Sequence, residues 1–172
     1  WVATTDHKRI GILYIWTSLT FFAAGGVMAL LMRTQLATPN EDFLTRNSYN
    51  SVFTMHGTTM IFLVIVPILA GFGNFLLPLM IGARDMAFPR LNALSYWIFL
   101  ASALFVYSSL AVGQAPNDGW FNYVPLASRE YDPGHAIDFY CLGILFNSIS
   151  STATAGLFIV TILKSRAPGM SL

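Results

Sequence analysis

The chain has 172 residues, of which 55% are hydrophobic, 15% aromatic and only 10% charged, with a mean hydropathy of +0.61. Soluble domains carry roughly a quarter charged residues, so this composition excludes an ordinary soluble domain and indicates a membrane protein in contact with lipid. A net charge of +1 points to neither a nucleic-acid partner nor an acidic one.

In chain order, residues 1–9 form a polar, basic lead-in that ends Asp6-His7-Lys8-Arg9. No signal-peptide pattern precedes the first apolar run, and an opening on Trp1 rather than Met leads us to expect a short missing N-terminal piece. Apolar runs follow at Ile10–Met32, Val52–Ile81, Leu94–Val112 and Ile137–Leu163. Each approaches or exceeds the ~20 residues that cross ~30 Å of hydrocarbon as a helix. Lipid leaves no partner for a free backbone group and no period-2 barrel strand is present, so the expectation is an all-α membrane protein with four spans. They fall near 10–33, 51–81, 94–113 and 137–164, in one domain over residues 1–172. Pro39-Asn40-Glu41-Asp42 reads as a turn in the first loop. Pro67 should kink the second span and free a carbonyl, and Gly71-Phe72-Gly73-Asn74 allows a backbone or a flat ligand to come close. The lone Cys141 reads as a small buried hydrophobe.

Charge sets the orientation. With four spans, both termini and the short 82–92 loop share one side, which holds Lys8, Arg9, Arg84, Arg90, Lys164 and Arg166 against Asp6 and Asp85. The other side holds Arg33, Arg46 and Arg129 against six acids. The termini are therefore expected inside, with His56 toward the outer face and Asp85 at the inner one.

Two groups of residues carry chemistry. His56 lies a few residues into the second run, where a bare imidazole needs a partner. It is either a histidine bonded to another helix or to interfacial water, or an axial haem ligand, since neutral imidazole suits iron. Gly57 would leave room for a macrocycle, with Met60, Phe62 and Phe72 as an apolar wall. Arg33 and Tyr49 share that side: they are a snorkelling arginine and an interfacial aromatic, or partners of polar haem substituents. The opposite set is Asp85, Asn74, Asn92, Tyr14, Ser150 and Ser151. Asp85 is either a surface partner of Arg84 or the loading acid of a water-filled proton wire, and the serines either bond back to their own helix or line that wire.

At TDHKRIGILY, MHGTTMIF, GFGNFLLPLMIGARDMAFPRLNALSYW and SISS the chain resembles the catalytic subunit I of the haem–copper oxidases, over essentially its whole length. The resemblance implies the first four helices of a twelve-helix bundle, in a terminal respiratory oxidase that reduces dioxygen to water with electrons from cytochrome c and pumps protons. It implies His56 as one of two axial ligands of the low-spin haem, of the haem a type, with Arg33 at its formyl group and Tyr49 nearby. Asp85 then corresponds to the entrance of the aspartate proton pathway, Asn74 and Asn92 to the asparagines above it, and Tyr14, Ser150 and Ser151 to positions lining it. No catalytic residue is expected in this segment: the second haem and copper B, with their ligands, belong to helices beyond it. Implied partners are the remaining helices of subunit I, oxidase subunits II and III, cytochrome c and membrane lipid. The implied location is a bacterial cell membrane or, alternatively, the mitochondrial inner membrane, with termini on the cytoplasmic or matrix side.

The chain departs from the family pattern at named positions. Gln35 stands where many members have a glutamate that serves a cation site, so no such cation is expected. Leu157 stands where many have an asparagine, which leaves the proton path one polar group short. Quinol-oxidising relatives carry a histidine and a glutamine at positions held here by Ser48 and Ser51, which favours cytochrome c over quinol as donor. Asp85 with Asn74 and Asn92 argues against nitric oxide reductases. A quinol oxidase, or a non-redox four-helix membrane protein with a structural His56, are the competing readings.

Overall fold

The computed structural model describes residues 1–37, 39 and 43–171; Asn40, Glu41 and Asp42 of the expected turn lie outside them. Helix α1 covers His7–Gln35, α2 Arg46–Thr58, α3 Val66–Met80, α4 Pro89–Ala111 and α5 Ala136–Lys164. A π-helical segment, Thr59–Ile65, joins α2 to α3, so Arg46–Met80 is one continuous span of 35 residues. Among the described residues four helical spans are long and apolar enough to cross a membrane, and lipid requires that form because each backbone group is then paired within its own span.

Polar caps, invisible to hydropathy, start the helices earlier than the apolar runs. Asp6 accepts from the Lys8 and Arg9 backbone N–H groups at 2.9 and 3.0 Å, so α1 begins at His7. The Arg9 N–H above all holds the Asp6 carboxyl below its usual range, against a smaller upward push from burial. Thr45 accepts from the Ser48 N–H at 3.2 Å and starts α2 at Arg46 rather than near residue 51. Pro89 opens α4 at a position where its missing N–H is lost anyway.

Helix α1 packs along the whole second span, α4 packs on α5, and the two pairs meet through α1 with α4 and α3 with α5. The α1–α3 approach is set by two glycines. A Cβ on Gly11 would stand 2.8 Å from the Gly71 carbonyl oxygen, and one on Gly71 would stand 3.0 Å from that of Gly11. The Gly71-Phe72-Gly73 stretch therefore admits the α1 backbone, and Gly73 admits the Phe158 ring of α5. Ile10, Tyr14, Phe21, Leu63, Tyr96 and Phe99 form the core between α1, the second span and α4.

At Pro67 the span does not stay regular α-helix: a π-helical segment precedes the proline, in which the Val66 N–H reaches back to the Ile61 carbonyl. One expectation is corrected. Cys141 is exposed, not buried, because it falls one position off the Tyr140–Gly143–Asn147 face that α5 turns inward, and its sulfur accepts from the Asn122 amide at 3.8 Å.

Candidate functional site

His56 closes the last turn of α2, half-buried and ten residues into its span, or about 15 Å from the Arg46 end, the end expected outside. That is deeper than the apolar run alone suggests. Its Nδ1 donates to the Gly25 carbonyl of α1 at 2.9 Å. A carbonyl can only accept, so Nδ1 holds the proton and Nε2 carries the lone pair, the tautomer a metal ligand needs. Gly25 faces Met60, whose sulfur would lie 2.9 Å from a Cβ there, whereas a Cβ on the next residue, Gly26, would meet nothing within 4 Å. Gly26, next in sequence to the residue that holds the histidine, thus faces open space, on the α1 face that continues two turns on to Arg33.

Arg33 is exposed on the last turn of α1, without an ion pair or hydrogen bond among the described residues. Tyr49 is half-buried and lines a cleft of about 590 Å³ at the outer ends of α1 and α2, together with Gln35, Leu44, Thr45, Arg46 and Asn50. Two residues expected around a macrocycle, Gly57 as open room and Phe72 as wall, do not serve it. Gly57 faces Trp120, 3.2 Å from a Cβ built on it, so the 113–136 loop covers it instead of leaving space for a macrocycle. Phe72 is sixteen residues beyond His56, about 24 Å down the span, and is half exposed there. Met60 and Phe62 stay close, Phe62 tilted against Trp120 with ring centroids 6.4 Å apart.

That loop is bound to the His56 end. The Gly119 N–H donates to Thr54 at 2.9 Å, and the Tyr140 hydroxyl donates to the Trp120 carbonyl. Within it Asp118 is buried with one carboxylate oxygen unpaired among the described residues. Burial, and secondarily the charge of Asp132, pushes its carboxyl pKa up.

At the opposite end of the span, the end expected inside, Asp85 sits half-buried in the α3–α4 connection, where it accepts from the Met86 N–H at 2.7 Å. Among the described residues it makes no ion pair with Arg84; the one ion pair is His135–Asp138 at the other end. Asn74 and Asn92 are both fully buried. The Asn74 carbonyl accepts from His7 Nδ1 at 2.8 Å, and its side-chain N–H donates back to Ala70 at 2.9 Å. Its side-chain oxygen is unpaired among the described residues, as are both polar atoms of Asn92.

Tyr14, Ser150 and Ser151 converge on a cavity of about 250 Å³ that Asn74 and Asn92 do not line. The Tyr14 hydroxyl and Ser95 Oγ are hydrogen-bonded at 3.3 Å, and Ser150 donates to the Ser95 carbonyl at 2.6 Å, which joins α1, α4 and α5. The two serines therefore differ: Ser150 bridges helices, and Ser151 only bonds back to Ser148 at 3.0 Å. Leu157 is buried in this face, with Thr154 one turn before it and Thr161 one turn after.

Several residues that hold the site were not singled out from sequence. Thr161 accepts from the Ala87 N–H at 3.0 Å and so anchors the connection that carries Asp85. Ser95 ties Tyr14 to Ser150, and His7 ties α1 to Asn74. The signal was available in α5: Asn147, Ser150, Thr154 and Thr161 recur at helical spacing on one face of an apolar run, and polar groups kept so in lipid mark function or a packing contact.

Comparison with known proteins gives the context of this geometry. The family model for cytochrome c and quinol oxidase polypeptide I matches residues 9–172. Similar proteins include cytochrome c oxidase subunit 1 of Bacillus sp. (strain PS3), 48% identical over 99% of this chain and 28% of that protein. Quinol oxidase subunit 1 of Bacillus subtilis (strain 168) is 47% identical over 100% of this chain and 26% of its own length. Heme-copper oxidase subunit I+III of Aeropyrum pernix is 47% identical over 99% of this chain and 21% of its length. The chain spans less than a third of each of these relatives, and with a match over all but its first eight residues it belongs to the haem–copper oxidase subunit I family.

Proposed function

We propose that this chain is the N-terminal four-helix portion of the catalytic subunit of a terminal respiratory oxidase, which passes electrons from cytochrome c to dioxygen and pumps protons. The observation that carries the reading is the His56 tautomer: a backbone carbonyl holds Nδ1, so Nε2 is offered to a metal from a fixed ring plane. The open ground at Gly26 fits the edge of a flat prosthetic group beside that nitrogen. Arg33 and Tyr49 would bind its polar substituents, the cation and the phenol each taking an oxygen acceptor. A low-spin haem bound there would supply one-electron transfer. The chain's part is to supply one axial nitrogen, to hold it at one angle, and to cover that end of the span with the Trp120 loop.

Proton delivery falls to the other end. Asp85 is the one acid on the inner connection, and Thr161 fixes the loop that presents it. The fully buried amide of Asn92, whose two polar atoms no described protein group pairs, orders water rather than trapping charge. Tyr14 and Ser150 continue the neutral row, and Thr154 extends it in place of the amide missing at Leu157. The basic bias of this side supports a position for it, and for both termini, on the cytoplasmic or matrix side. Subunits II and III, the remaining helices of subunit I and surrounding lipid cover the exposed apolar faces.

For the donor, cytochrome c is favoured over quinol by Ser48 and Ser51: neither offers an amide or imidazole for a quinone ring, and Ser51 is half-buried and turned to the Ala115 carbonyl at 3.4 Å. Steady-state oxygen consumption by the whole oxidase with each donor is the test. Turnover with reduced cytochrome c is expected, and turnover with quinol alone would reverse the assignment.

A further inference from the structure

Asn147 is 6% exposed in α5, faces the 250 Å³ cavity, and has no part in the proton row or the haem end. Its side-chain N–H donates to the Phe62 carbonyl at 3.4 Å. Phe62 lies within the π-helical segment, where the backbone pairs residue i with residue i−5, as Val66 does with Ile61. In that register the donor to the Phe62 carbonyl would be residue 67. Residue 67 is proline and has no N–H.

The geometry assigns Asn147 as a positioning residue: by capping the carbonyl that Pro67 leaves without its regular donor, it fixes the rotational register between the His56 and Asn74 ends of the second span. A π turn takes up one extra residue, so reversion to regular α-helix would rotate one end against the other by about 100°. His56 stands three residues before the segment and Asn74 nine residues after it. The same amide ties that register to α5, the helix that carries Ser150 and Thr154. The consequence for electron and proton traffic rests on the function proposed above, but the register itself does not.

The test is a double-mutant cycle in the full-length oxidase, with Asn147→Leu, Pro67→Ala and their combination. Two readouts are independent of haem: the thermal midpoint, and the distance between spin labels placed through Asn50→Cys and Met80→Cys, both exposed at opposite ends of the span. Asn147→Leu should lower the midpoint by a few degrees and change the label distance. On the Pro67→Ala background, where residue 67 again has an N–H, it should do neither further. The low-spin absorption band should move with the label distance. An equal loss of midpoint on both backgrounds would reduce Asn147 to a packing contact, and an unchanged label distance would remove the register role. Failure of the haem reading shows separately, as a low-spin band that survives His56→Ala while the label-distance result stands.

Discussion

The two ends of the second span solve opposite problems. At the outer end one imidazole is held by a backbone carbonyl, and a loop is bound over it by Gly119 and Tyr140. At the inner end two asparagines are fully buried with polar atoms that no described protein group pairs, and hydroxyls share bonds among three helices. A buried polar atom left unpaired costs about 1–3 kcal/mol, so the asparagine end is built around groups that water must complete. Where the other end leaves such atoms, at Asn117, Asp118, Asn122 and Asp132, they belong to the covering loop and not to the imidazole. The comparison also explains why α1 runs between them: Gly25 supplies the carbonyl at one end, His7 bonds Asn74 at the other, and Tyr14 lies between.

The largest expected effect separates the ends completely. His56→Ala should abolish the low-spin haem absorption of the assembled oxidase, since no other imidazole lies on this face of the second span. Loss of only a high-spin signal would show that His56 serves a different metal. Arg33→Met should leave the haem in place and shift the same band, and an unmoved band would reject that contact.

At the inner end, Asp85→Asn removes the acid proposed to load protons and leaves the amides untouched. Proton transfer by a positioned side chain is worth ~10²–10⁴-fold, so turnover and pumping should both fall by at least about tenfold. Asn92→Asp instead places a charge among neutral dipoles, and pumping should weaken while oxygen consumption largely survives. Reconstituted vesicles report both quantities, and normal pumping by Asp85→Asn would leave Asp85 a surface residue only.

How much of this was legible in the sequence divides along the same line. Composition and four apolar runs carried the spans, because lipid admits few alternatives. His56 and Asp85 stood out as groups that lipid penalises. What escaped was relational: Asn147, Ser95 and Thr161 read as isolated polar residues until the helices were paired, since the groups they bond are 85, 55 and 74 residues away. Pro67 signalled a freed carbonyl, but a π turn moved the orphan from Leu63 to Phe62. Cys141 and Gly57 were misread for one reason, namely that facing depends on the partner helix or loop, and neither is visible in a hydropathy run.

A change at the α1–α3 crossing tests whether the ends depend on one shared spacing. Gly71→Val would press its side chain onto Ile15 and the Gly11 carbonyl, both within 3.0 Å of a Cβ at that point. Overpacking of this kind costs roughly 1–3 kcal/mol, and because α1 touches both sites the variant should disturb the low-spin band and proton uptake together. A variant that lost stability but kept both signals would show that the ends are held independently of α1.

The smallest expected effect lies in the loop over the outer end. Burial, aided by the negative charge of Asp132, raises the Asp118 carboxyl above its ordinary value, so the folded loop holds that proton more tightly than the unfolded chain does. The sign follows from linkage. The stabilising contribution is fully present below the unfolded pKa of about 3.9 and is lost as pH rises through the higher folded value. Above it a carboxylate is buried beside another one, and folding bears the cost. Asp118→Asn keeps the shape and removes the titration, so its thermal midpoint relative to the unsubstituted protein should rise from about pH 4 to about pH 8. Asp132→Asn should reproduce a smaller part of that slope, because it removes the secondary cause and leaves the burial. A midpoint difference that stays constant across this range would mean that Asp118 is ionised at no cost. The loop would then be held over His56 by Thr54, Trp120 and Tyr140 alone.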